Sequence, residues 1–174
     1  MWVFGYGSLI WDGWEDQFGG ARHDNAMLRG YRRCFSKAST RNWGSPSAPC
    51  PTLGLAADHT AACQGVVFEF EAHRECEVLD YLRQREGKSF VFAKLDVALP
   101  SGTLVEAFVP INNSGATDLS ATDLKELAAM AKRASGREGT CAEYVSRLRA
   151  GLRALDITDR VVDEFDRLVS GDGP

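Results

Sequence analysis

Two places in this chain combine residue types that can do chemistry. One is a glycine-rich string near the start, Val3-Phe4-Gly5-Tyr6-Gly7-Ser8-Leu9-Ile10-Trp11, and the other is a glutamate followed by a glycine, Glu86-Gly87. A strand that runs into Gly-Tyr-Gly-Ser can turn sharply and expose successive backbone N–H groups, because glycine accepts φ > 0 and lets a ligand approach the main chain. Such donors suit a carbonyl oxygen that gains negative charge during a reaction. The plainer reading is a turn that ends a strand and does nothing more. Gly5-x-Gly7 also opens a dinucleotide fingerprint, but Ile10 holds the third glycine position and no helical pattern follows. Ser8 lacks the second glycine of G-x-S-x-G, and no His or Asp pair nearby announces a triad.

Glu86 stands where Leu82-Arg83-Gln84-Arg85-Glu86 reaches Gly87, a glycine at which a helix is expected to stop. A carboxylate held out beyond a helix terminus and partly desolvated is a useful general base, since loss of water raises its proton affinity. Glu69 and Glu71, near the end of an apolar strand, are rival carboxylates, and any of these can be a solvated charge. His23, His59 and His73 are scattered, without H-E-x-x-H and without a Cys/His pair at ligand spacing, so no metal site is expected.

The elements that must position these groups change character along the chain. Strands are expected over Trp2 to Gly5, Leu28 to Ser36, Thr52 to Ala56, Gln64 to Phe70, Phe90 to Leu99 and Leu104 to Ile111. Helical spacing over Glu71 to Gln84 interrupts them, with Glu75, Val78, Leu79 and Leu82 on one face. After the turn-rich Asn112-Asn113-Ser114-Gly115, three helices follow. Ser120 to Asp123 and Thr140 to Glu143 fit the capping box. Leu124, Leu127, Ala128 and Ala131 make one stripe, closed by Gly136, and Tyr144, Leu148 and Leu152 make another. Thr158 starts the last helix, with Val161, Val162, Phe165, Leu168 and Val169 facing inward. Strands first and packed helices last is an α+β pattern.

Composition sets the outer limits. At 174 residues, one domain over 1–174 is expected, long enough for a real core, and 44% hydrophobic with 25% charged residues is ordinary globular usage. No apolar run approaches a membrane span, and Met1-Trp2-Val3-Phe4-Gly5 has no secretory character, so no membrane association is expected. The net charge of −4, with no basic cluster longer than Arg32-Arg33, argues against nucleic acid as a partner. The five cysteines are odd in number and show no C-x-x-C, so reduced thiols in a cytoplasmic protein are expected.

Residues Val3 to Trp11 resemble the signature opening of the ChaC-like γ-glutamylcyclotransferases. Further pieces follow in the family's order: Gly30-Tyr31-Arg32-Arg33-x-Phe35, then Gly65-Val66-Val67-Phe68, then Leu82-x-x-Arg85-Glu86, with Glu143-Tyr144-Val145 and a closing helix after Ile157-x-Asp159. The resemblance implies a small mixed β-barrel with helices packed around it. It implies a reaction that turns a γ-glutamyl amide, most often glutathione, into 5-oxoproline and a free amine, without cofactor or metal. It places the catalytic glutamate on Glu86 and substrate contacts on Val3, Phe4, Gly5, Tyr6, Gly7, Ser8 and Leu9, with Arg41, Trp43 and Tyr144 completing the binding set. Arg85 is expected to be a structural or solvated charge. The alternatives are a cyclotransferase for another γ-glutamyl amine or peptide, and a member that binds such a ligand without turnover.

Two departures from the family bear on substrate. Where glutathione-specific members carry Asp-His-Arg-Gly, this chain has Arg41-Asn42-Trp43-Gly44. An indole with one donor replaces a guanidinium that can grip a carboxylate in two places, although Arg41 could restore the charge. After the catalytic position the family's Glu-Lys-Gly-Gly-Tyr is replaced by Glu86-Gly87-Lys88-Ser89-Phe90.

Overall fold

Val3, Phe4, Val66, Val67, Phe68, Val97, Ala107 and Val109 are all fully buried, and their burial is what rolls the strands of this chain into a closed barrel. A computed structural model describes residues 1–87, 90–113 and 118–171. Lys88 and Ser89, singled out above, lie outside the described residues, as do Ser114 and Gly115 of the expected turn. The strands are β1 (Trp2–Gly5), β2 (Ala21–Ser39), β3 (Cys50–Glu69), β4 (Phe90–Ala98) and β5 (Leu104–Asn112), closed in the order β1-β3-β2-β4-β5. β1 pairs antiparallel with β3, from Trp2↔Glu69 to Gly5↔Val66, and parallel with β5 at Trp2↔Ala107 and Val3↔Phe108. That one parallel seam makes the barrel mixed. β4 and β5 form a regular hairpin from Phe90↔Asn112 to Ala98↔Leu104, closed where Leu99 N–H donates to the Thr103 carbonyl.

The chain divides into two compact units, each assembled from two stretches of sequence. The first comprises Met1–Arg32 and Ala56–Ser114, and the second Arg33–Leu55 and Gly115–Pro174. The first holds β1, β4, β5, most of β2 and β3, and helix α1 (Glu75–Glu86), which buries Val78, Leu79 and Leu82 as its spacing predicts. In the second, α2 (Leu124–Ala131), α3 (Cys141–Ala154) and α4 (Arg160–Ser170) bury Leu127, Ala128, Tyr144, Leu148, Leu152, Val162 and Phe165. A short ribbon, β6 (Ser135–Gly136) with β7 (Gly139–Thr140), precedes α3.

Several expectations need correction. β2 and β3 are far longer than the strands expected within them, because stretches such as Ala57 to Ala62, largely exposed and without strict alternation, still belong to one continuous strand. Thr140 and Glu143 do form a capping box. Ser120 does not cap: its hydroxyl donates to Asp118 at 2.9 Å, and Asp123 instead caps α2 by accepting the Lys125 N–H at 2.8 Å. Gly136 does not close that helix, which ends at Ala131, but pairs with Gly139 in the ribbon. The thiol expectation fails for Cys50 and Cys141, which form a disulfide across 91 residues with their Cα atoms 5.5 Å apart. Both are fully buried in the second unit, which brings the start of β3 against the first residue of α3. Among the described residues, no helix is long and apolar enough to cross a membrane.

Candidate active site

The glycine-rich string leaves β1 at Gly5 and enters a single 3-10 turn over Ser8–Ile10. Gly5 is required by space rather than by torsion. A Cβ there would stand 3.0 Å from the Phe68 ring and 3.1 Å from the Leu9 Cβ, tighter than ordinary contact. Neither Gly5 nor Gly7 has a positive φ, so the expected left-handed turn is absent from this loop. Val3, Phe4, Gly5, Tyr6, Gly7 and Leu9 are buried, and Ser8 is half-buried. Tyr6 sends its hydroxyl to the Pro110 carbonyl of β5 at 2.8 Å, anchoring the loop to the barrel.

What defines the loop chemically is the fate of its carbonyls. Gly7 C=O accepts the Ile10 N–H at 3.1 Å, Ser8 C=O accepts Arg85 Nη2 at 3.1 Å, Leu9 C=O accepts Trp14 Nε1 at 3.2 Å, and Ile10 C=O accepts Arg22 Nη1 at 2.9 Å. In a planar trans peptide the carbonyl and the following N–H point in opposite directions. Holding the Gly7 and Ser8 carbonyls therefore fixes the N–H directions of Ser8 and Leu9. The first N–H groups of a helical turn have no partner within that turn.

Glu86 is the last residue of α1, and Gly87 ends the helix with φ +81, its N–H donating to the Arg83 carbonyl at 3.0 Å. The Glu86 side chain is only 14% exposed, so its carboxylate is partly withdrawn from water. It lies 3.8 Å from Arg85 Nε, and the same guanidinium reaches Ser8, which brings the end of α1 to the loop. Of the two roles expected for Arg85, a structural or a solvated charge, the structure gives it the structural one. Its side chain is 17% exposed and it pairs with Asp12 at 2.6 Å. Burial works against its charge, but Asp12, the Tyr81 hydroxyl and Glu86 outweigh that and hold the guanidinium above its ordinary value. Trp14 stacks on Tyr81 of α1 with ring centroids 5.8 Å apart, fixing the face of the helix that carries Arg85.

The remaining expected site residues belong to the second unit. Arg41 is exposed, and its carbonyl accepts the Arg137 N–H at 3.0 Å. Trp43 lies against Tyr144, ring centroids 5.5 Å apart, and Arg147 of α3 places its guanidinium 5.6 Å from the Trp43 ring centre. Tyr144 is buried and its oxygen accepts the Leu53 N–H at 3.1 Å. The structure therefore gathers Val3 to Leu9 with Glu86 in the first unit, and Trp43 with Tyr144 in the second. Glu69 pairs with His23 at 3.3 Å and Glu71 with His73 at 3.1 Å, both in exposed pairs, which leaves neither the shielded setting of Glu86. Sequence reasoning passed over Trp14, Arg22 and Arg147. Proximity of Arg85 to Glu86 was the one available signal for the clamp, and spacing does not say where a guanidinium points. Among the described residues no three His, Cys, Asp or Glu side chains gather as metal ligands.

Similarity to known proteins covers nearly the whole chain. A family model described as ChaC-like protein matches residues 1–171. Gamma-glutamylcyclotransferase 2-3 of Arabidopsis thaliana is 28% identical over 174 residues, covering 95% of this chain and 86% of that protein. Glutathione-specific gamma-glutamylcyclotransferase 1 of Rattus norvegicus is 34% identical over 86 residues, which is 49% of this chain and 37% of that protein. A crystal structure of a yeast γ-glutamyl cyclotransferase specific to glutathione superposes with a TM-score of 0.88 at 21% identity, over 98% of this chain and 96% of that one, and shows that the fold is shared.

Proposed function

The chain belongs to the ChaC-like family, and from that premise we propose that it cyclises the γ-glutamyl moiety of glutathione to 5-oxoproline, releasing cysteinylglycine, with Glu86 as the base. The reaction class is that of a γ-glutamylcyclotransferase. The observation that carries the mechanism is the clamped loop, whose carbonyls from Gly7 to Ile10 are all held by donors beside the shielded Glu86.

The substrate's α-amine attacks its own γ-carbonyl, and near neutral pH that amine is largely ammonium, so a base must first take a proton from it. Glu86 does this. The new C–N bond closes the five-membered ring, and the γ-carbonyl oxygen becomes an oxyanion received by the N–H groups of the Gly7–Leu9 segment. Collapse breaks the bond to the cysteinyl nitrogen, which takes that proton from Glu86, and the freed carboxylate then takes the second proton from the ring nitrogen and passes it to the released amine. Two protons leave the attacking nitrogen and two reach the departing amine, so neither water nor a net proton is consumed. Because the attack is intramolecular, a pocket that holds the glutamyl chain bent gains effective molarities of about 10⁵ M or more. Val3, Phe4 and Tyr6 brace this segment, and Ser8 borders the substrate.

In the second unit Arg147 stands over the ring of Trp43, the residue that replaces the family's arginine. The reading includes a cytoplasmic location and a small-molecule partner.

The test is mass-spectrometric detection of 5-oxoproline after incubation with glutathione, γ-glutamyl-alanine and a γ-glutamyl alkylamine. Release from glutathione is expected, falling about 10³-fold or more in Glu86→Gln with the fold intact, the scale of a lost general base. Turnover of the alkylamine alone would replace glutathione as the substrate, and full activity of the variant would remove Glu86 from the mechanism.

A further inference from the structure

We propose that Arg85 is the positioning residue of this site: its guanidinium holds the Ser8 carbonyl and thereby aims the Leu9 N–H at the oxyanion. The inference rests on the cyclotransferase reading above. Arg85 donates to the Ser8 carbonyl at 3.1 Å and to the Tyr81 hydroxyl at 3.4 Å, and pairs with the Asp12 carboxylate at 2.6 Å. Ser8 lies inside the 3-10 turn and Asp12 just beyond it, so one planar group grips the loop at two points from the end of α1. Tyr81, one helical turn back, steadies the same side chain from behind. Glu86 follows Arg85 directly, and its carboxylate lies 3.8 Å from the same guanidinium. The same guanidinium therefore touches both the base and the peptide that carries the donor.

Planarity of the Ser8–Leu9 peptide carries that grip to the Leu9 N–H, because rotating the carbonyl rotates the donor with it. Water cannot easily substitute for the clamp, since the Arg85 side chain is 17% exposed and hydrogen bonds gain strength where water is sparse. Lysine cannot substitute either. An ammonium is a point charge without the fixed fork needed to face a carbonyl and a carboxylate at once. Asp12 supplies the countercharge that keeps the buried guanidinium in place.

Kinetics on glutathione test this, with Glu86→Gln run alongside. Arg85→Ala is expected to lose about 100-fold in kcat, the scale of a misplaced oxyanion donor, while KM stays within about threefold. Guanidinium chloride, added well below denaturing concentration, is expected to restore part of the loss in Arg85→Ala and to leave the wild-type rate unchanged. Arg85→Lys is expected to lose about tenfold in kcat with its melting temperature preserved. Undiminished kcat in either variant overturns the proposal, and so does a loss that appears in KM alone or that guanidinium does not relieve. Should Arg85→Ala fail to fold, kcat of Arg85→Lys decides by the same criterion. Activity retained by Glu86→Gln would instead count against the parent reading, whatever Arg85 does.

Discussion

The two units of this chain hold themselves together by different physics. The first closes a hydrogen-bonded ladder through β1, β3, β2, β4 and β5, so its cohesion is spread over many backbone bonds and a buried apolar interior. The second also buries an apolar interior under its helices, and adds to it a few discrete ties between residues far apart in sequence. They are the Cys50–Cys141 disulfide, the Arg33–Asp159 ion pair at 3.2 Å, the Leu53 N–H to Tyr144 bond, and the Phe35 and Phe165 rings with centroids 3.9 Å apart. In a closed ladder a side chain can be spent on a loop without loosening the frame, and Arg85, Trp14 and Arg22 all serve loop carbonyls. In the second unit the comparable side chains serve the frame itself.

The sharpest way to break this contrast is at Asp159. Its carboxylate caps α4 by accepting the Val161 and Val162 N–H groups, and it also faces Arg33, which is 2% exposed. Asp159→Ala removes both interactions and is expected to cost about 3 kcal/mol, since one partner of a buried ion pair goes together with a helix cap. Urea denaturation provides the number. The control lies in the first unit, where Lys94 and Glu106 are 3.3 Å apart but more than half exposed, and Glu106→Gln is expected to cost less than about 1 kcal/mol. Equal losses at the two sites would erase the distinction.

The disulfide is the next largest tie. Replacing Cys50 and Cys141 together by serine is expected to lower stability by about 2–4 kcal/mol, most of it through the greater freedom of an unfolded chain no longer closed over 91 residues. Wild-type protein treated with a phosphine reductant should melt earlier by a similar amount, while the double variant should not respond. A reductant-insensitive wild type would show that the second unit is held by packing and the ion pair alone.

This contrast also explains what could be read from the residues alone. The strands were legible because burial on a pleated strand leaves alternation behind, as in Phe90 to Val97, and their closure into a barrel was legible only through family resemblance. The place of Glu86 at the end of α1 was legible through Gly87, and the role proposed for it comes from family resemblance. The capping box at Thr140 was legible because cap and N3 residue sit three apart in one local motif. Ser120 carried the same signature, yet its hydroxyl donates to Asp118 while Asp123 accepts the helix N–H, and local pattern does not choose between two candidate caps. Long-range ties leave no local trace. Nothing near Cys50 points to Cys141, and Arg33 looks the same as Arg32 until Asp159 is brought to it. The clamp on the loop was hidden for a related reason, because Arg85, Trp14 and Arg22 meet successive carbonyls only after the chain has folded.

The smallest expected effect tests where the first unit carries its burden. Glu15 is 5% exposed, its Oε2 is buried without a hydrogen-bond partner, and Arg22 Nη1 is 3.9 Å from its Oε1, beyond hydrogen-bond reach. Burial pushes the Glu15 carboxyl above its ordinary value, and a backbone hydrogen bond and Arg22 only partly offset this. A carboxyl raised in the folded state favours folding most when protonated. Its contribution is fully present below the unfolded value and is lost as pH rises through the folded one. Glu15→Gln should therefore raise the melting temperature slightly near neutral pH and leave it unchanged near about pH 4, where the wild-type carboxyl is already largely protonated. The same change withdraws a negative charge from Arg22, the donor to the Ile10 carbonyl, so kcat should fall slightly as stability rises. A gain in stability at neutral pH with kcat intact would show that the barrel holds Ile10 without help from Glu15. A loss of stability at neutral pH would show that the buried carboxylate ties the frame, as Asp159 does in the second unit, and the distinction between the two units would fail at this position.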